Sequence, residues 1–107
     1  MFRGVFMRDA LPKKPWKTEI GILNLDSLEG KGTHWTLWSK ADSNYFYFDS
    51  FGHGPPIELS KYLNNDIIYS TFQVQEMGTE YCGQLCLILL ANLVKFQDFQ
   101  KSILEFL

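Results

Sequence analysis

What this chain has little of narrows it first. It holds two cysteines, Cys82 and Cys86, one helical turn apart, where a disulfide would close only a tiny, strained loop, and no Cys-x-x-Cys pair. That pattern fits a reducing compartment. The two histidines, His34 and His53, are too scattered to suggest a zinc site, so neither a metal nor a resident cofactor is expected. Basic excess is also missing: 10 Lys and Arg against 12 Asp and Glu leave a net charge of −2, which argues against nucleic acid as a partner. No apolar run approaches the roughly 18 residues of a membrane span. The opening Met1-Phe2-Arg3-Gly4 lacks a signal-peptide core. With no repeat, low-complexity tract or linker, residues 1–107 read as one intracellular domain without membrane contact.

What is present is apolar and aromatic. Hydrophobic residues make up 46% of the chain and aromatic ones 16%, enough for a well-filled core. Pro12 and Pro15 break the first 17 residues into an irregular arm with a short strand at Gly4 to Met7. Glu19 to Leu25 is short, largely apolar and bounded by turn residues, as a strand buried on both faces would be. A loop from Asp26 to Thr33 leads to His34 at the mouth of a strand ending near Trp38. The turn Asp42-Ser43-Asn44 then opens the aromatic strand Tyr45 to Phe48, making a hairpin. Pro56 begins a helix to Leu63, ended by Asn64-Asn65, and Ile67 to Val74 reads as a further strand with Gln75 at its end. Thr79 is a suitable N-cap for a helix from about Tyr81 to Phe96, apolar on nearly every side and therefore central. Asp98 to Leu107 has the spacing of an amphipathic helix. The expected class is α+β, a small mixed sheet packed on a central helix carrying Cys82.

Taken alone, two cysteines on an apolar helix are most simply core. Cys82, however, stands where a polar loop becomes that helix, and a helix N-terminus favours thiolate, the form that attacks carbonyls. A nucleophile needs a base, the base an orienting acceptor, and the developing oxyanion its donors. In chain order the sequence offers His34, Asp49 and Gln75, each at a strand end, and then Cys82. Each has a plainer reading: His34 as a satisfied histidine, Asp49 as a turn residue, Gln75 as a strand end. His53, in a Gly-Pro loop, is the weaker rival base.

The segments Gly32-Thr33-His34-Trp35, Tyr47-Phe48-Asp49-Ser50-Phe51-Gly52, Gln73-Val74-Gln75 and Cys82-Gly83-Gln84-Leu85-Cys86 resemble the adenovirus protease (adenain) family in order and spacing. Relatives in Maverick/Polinton elements and other DNA viruses, and more distantly the SUMO proteases, share that order. Phe2 to Phe6 and Gly21 to Asn24 extend the likeness upstream. The resemblance implies a papain-like cysteine protease fold, with Cys82 as nucleophile, His34 as general base and acid, and Asp49 as orienting carboxylate. Gln75 and the Cys82 backbone N–H would be the oxyanion donors. Trp35 would flank the histidine and shield the site, with core packing as its other reading, and Cys86 would pack. The implied substrates are viral or transposon capsid precursors, cleaved in the host cytoplasm, the nucleus or the virion. Two rivals stand beside this: a SUMO or ubiquitin-like isopeptidase, and a capsid or scaffold module that keeps the fold without turnover. The chain departs from adenovirus protease in lacking the extra N- and C-terminal helices, as a minimal member or a trimmed piece would. It also has no cysteine between His34 and Cys82, so an activating peptide could not attach there covalently. Oligomeric state and cleavage specificity are not legible.

Overall fold

The computed structural model describes residues 1–26, 34–69, 71, 82–96, 98, 101 and 102. A five-stranded sheet runs in the order β1-β2-β3-β4-β5. Its strands are β1 (Phe2–Met7), β2 (Thr18–Asn24), β3 (Trp35–Ala41), β4 (Asn44–Phe48) and β5 (Ile68–Tyr69). The outer pairs β1/β2 and β4/β5 are parallel and the inner pairs antiparallel, so the sheet is mixed, as expected.

The short strand expected at Gly4 to Met7 is present and begins two residues earlier, at Phe2. Phe2 to Met7 pairs along β2, with a register irregularity between Phe2 and Gly4, where Gly4 takes φ 137°. The prolines that suggested an arm lie beyond it, and a bulge at glycine absorbs the break in pattern. β3 also outruns its expected end at Trp38, because its polar residues find partners: Lys40 Nζ donates to the carbonyls of Trp16 (2.8 Å) and Lys17 (2.9 Å). Only Ile68–Tyr69 of the expected 67–74 strand appears as strand among the described residues.

Alternation along the strands divides the sheet into two faces. On one, Ile20, Ile22, Leu37 and Phe48 pack with Cys86, Leu89 and Leu93 of helix α2 (Cys82–Phe96). On the other, Leu23, Trp38 and Tyr47 pack with Leu59 and Leu63 of helix α1 (Ile57–Leu63). A Cβ on Gly21 would sit 2.1 Å from the Trp38 ring, so only glycine lets that indole lie across β2. There the indole Nε1–H reaches the fully buried Glu19, donating to Oε2 at 2.8 Å; Tyr62 O–H donates to the same oxygen at 2.7 Å. Oε1 accepts Trp16 N–H at 2.6 Å and faces Arg3 at 3.7 Å. The α1 face is therefore closed by a carboxylate engaged on both oxygens.

Helix α2 is not central in the sense expected. Cys82, Cys86, Leu89 and Leu93 form one buried stripe at spacings of four, three and four, whereas Leu87, Ile88 and Val94 are 59%, 49% and 59% exposed. The helix covers the sheet with one side and leaves an apolar opposite side outward among the described residues. Of the expected helix over 98–107, the described part shows one turn: Ser102 N–H donates to Asp98 O at 3.0 Å, and Asn92 Nδ2 ties Ser102 O to α2 at 3.3 Å.

Candidate active site

His34, Asp49 and Cys82 each sit at an element's end. Leu25 N–H donates to His34 O at 2.9 Å, holding His34 just before β3. Asp49 follows β4 and turns the chain: its backbone oxygen accepts Gly52 N–H at 2.8 Å, and its Oδ1 accepts Phe51 N–H at 2.8 Å. Gly52, at φ 77°, supplies the left-handed conformation that this turn requires. Cys82 is the first residue of α2.

Topology brings these ends together. Because β3 and β4 are antiparallel neighbours, the start of one lies beside the end of the other, and His34 Nε2 stands 2.7 Å from Asp49 Oδ1. An ionised carboxylate can only accept, so that nitrogen carries the proton and Nδ1 is left for other work. The His34 ring stacks on Phe51 at 4.6 Å between centroids and 11° between planes. Phe51 thus fixes the imidazole by its face and the carboxylate by its N–H. Asp49 is fully buried, yet among the described residues its Oδ2 has no hydrogen bond; exposed His53 Nδ1 is 3.9 Å away.

The thiol arrives from the other side. Cys82 is 6% exposed, and its Sγ accepts the backbone N–H of Trp35, next to His34, at 3.4 Å. One turn on, the fully buried Cys86 donates its S–H to Trp35 O at 3.4 Å. Burial pushes the Cys86 thiol well up from the ordinary range, so it stays protonated and a donor. The Trp35 side chain packs against the α2-side core and over the first turn of α2, where a Cβ on Gly83 would come 3.4 Å from the indole. It also lines a shallow groove of about 500 Å³ with Val5, Ile22, Gly83, Gln84 and Leu87. Trp35 thus packs into the core and lines the groove at once.

No known family model matches the chain, and no curated protein matches it in sequence. Among solved structures, the selenomethionine form of the ASFV pS273R protease matches at TM-score 0.50 and 21% identity, over 84% of this chain and 39% of that one. The chain shares its fold with a protease. It spans about two fifths of that protein's length, so the likeness is one of fold.

The structure gathers His34, Asp49, Trp35 and Cys82 at one end of the sheet; Gln75, like the expected cap Thr79, lies outside the described residues. Sequence reasoning missed Phe51 as a site residue. Its signal was an aromatic two positions after the acid, in the Asp49-Ser50-Phe51-Gly52 turn. Reasoning also gave Cys86 packing alone. Among the described residues no cluster of three or more His, Cys, Asp or Glu could hold a metal, and no helix is long and apolar enough to cross a membrane.

Proposed function

We propose that this chain is a cysteine endopeptidase domain of the papain-like type. The observation that carries the reading is the His34–Asp49 contact of 2.7 Å beside a thiol hydrogen-bonded to the residue after His34; the fold shared with a protease supports it. In this reading the Cys82 thiolate attacks the scissile carbonyl, and the oxyanion takes the Cys82 backbone N–H and the Gln75 side chain as donors. His34, held through Nε2 by Asp49, carries the thiol's proton on Nδ1 and gives it to the leaving amine as the C–N bond breaks. The remaining thioester is opened by a water that His34 deprotonates, releasing the acid and restoring the thiol. Substrates are capsid precursors of viral or transposon origin, with small residues, glycine above all, around the scissile bond.

The test is labelling with a peptide that ends in Gly-Gly and a carbon electrophile. Wild type is expected to be labelled at Cys82 and to cleave the matching peptide; Cys82→Ala should do neither, and His34→Ala should lose about a thousandfold or more in rate. Labelling by a ubiquitin-like probe alone would move the assignment to an isopeptidase. Failure of both probes, with substrate processing unchanged in Cys82→Ala, would sink the protease reading.

A further inference from the structure

The hydrogen-bond ladder of the sheet stops one step short of the site. β3 pairs with β4 only as far as Leu37 opposite Phe48, so the position opposite Trp35 has no strand. On its other side Trp35 faces Asn24, and the bond from Leu25 N–H to His34 O makes Asn24–Trp35 a non-hydrogen-bonded pair. The N–H and C=O of Trp35 therefore point toward the missing strand. Backbone groups left in that position must find partners elsewhere or cost stability. Here α2 supplies them with two thiols, Cys82 Sγ accepting the N–H and Cys86 S–H donating to the C=O, each at 3.4 Å. The two bonds stand in for one missing rung of sheet.

We propose that Cys86 is a positioning residue for the Cys82 thiol: through Trp35 it holds the mouth of β3, and with it His34, against the first turn of α2. This rests on the reading of Cys82 as nucleophile. Cys86 suits the task in three ways. It is fully buried, so its bond does not compete with water. Burial raises its titration, so it remains a donor where Cys82 must be an acceptor. It stands one turn after Cys82 on the same helix, and the two sulfurs reach the N–H and the C=O of one residue.

Two variants separate positioning from packing. Cys86→Val keeps a small apolar side chain and removes the donor; Cys86→Ser keeps a donor. Each leaves Cys82 as the chain's one cysteine, so iodoacetamide reports on it alone. Cys86→Val should still fold, with its thermal midpoint lowered by a few degrees for the carbonyl left unpaired, and Cys82 alkylation at pH 7 should slow about threefold to fivefold and Trp35 amide exchange should quicken about as much, the size of one weak hydrogen bond. Cys86→Ser should bring both to within about twofold of wild type, a rescue that a packing role would not give. If valine fails to fold, Cys86→Ala against Cys86→Ser makes the same comparison. Wild-type rates for both readouts in the donorless variant would overturn the proposal while leaving the nucleophile reading intact. A wild-type Cys82 no more reactive than a free cysteine would bring down that reading, and this one with it.

Discussion

Among the described residues two carboxylates are fully buried, Glu19 and Asp49, and they are held differently. Glu19 lies at the far end of β2 from the thiol, five residues or roughly 17 Å along the strand at the usual rise. Both its oxygens are engaged, by Trp16 N–H and Arg3 on one and by Trp38 and Tyr62 on the other. Asp49 puts its whole hydrogen-bonding load on Oδ1, shared by His34 and Phe51, and leaves Oδ2 without a bond among the described residues. Saturation suits a group that fixes a shape, because a buried charge is tolerable when every lone pair is occupied. A one-sided carboxylate costs stability. What it offers in return is a strong, directional hold on one histidine nitrogen, which is what an orienting acid must supply.

The contrast can be broken at either end. Asp49→Asn should have the largest effect, about a thousandfold loss of peptidase rate from a misplaced imidazole proton, while the thermal midpoint moves little because the amide keeps an oxygen to accept the Phe51 N–H. Calorimetry and peptide turnover on one sample check both halves, and a large stability loss would make Asp49 a structural residue like Glu19. Glu19→Ala should do the reverse: about 3–5 kcal/mol of stability lost, since Trp38, Tyr62 and Trp16 keep donors with nothing to accept them. Cys82 labelling in the folded fraction should stay near wild type. Urea titration followed by labelling separates these effects.

A smaller effect concerns acids that the fold keeps protonated. Burial raises Cys86 and Tyr47 from ordinary values of 9.0 and 10.0, and Tyr62 is raised by burial first and then by its bond to Glu19. The folded state holds these protons more tightly, so their contribution is complete below about pH 9 and falls as pH rises through the folded values. Urea midpoints should therefore hold up to about pH 9 and decline from there to about pH 11. A flat profile would show that these groups titrate alike in both states.

Much of the sheet was legible because its residues alternate in only one workable way. Ile20, Ile22 and Leu37 against Leu23 and Trp38 declare two faces, and the Asp42 turn, at φ 54°, joins the predicted hairpin. The expected hairpin also permitted His34 and Asp49 to lie side by side, since antiparallel neighbours bring a strand's start beside its partner's end, and their 2.7 Å contact is of that kind. The first strand was expected only from Gly4; its two earlier residues were hidden because the register breaks between Phe2 and Gly4, and a bulge has no periodic signature. The exposed side of α2 was hidden for a different reason: composition reports that a helix is apolar all round, not how much of it the remaining chain covers. The role of Cys86 could not be read at all, because it depends on where β4 stops relative to β3, a tertiary coincidence that leaves no local mark.

The tryptophans have a practical consequence. Trp38 is fully buried against Glu19, Trp35 is half-covered beside the thiol, and Trp16 is 47% exposed on the segment that Glu19 holds down. Three depths of the same chromophore make the molecule its own optical probe. A collisional quencher in the solvent should dim Trp16 first and Trp38 last. Single-tryptophan variants would then let emission report separately on the N-terminal segment, the thiol's surroundings and the closed side of the sheet, with no dye attached.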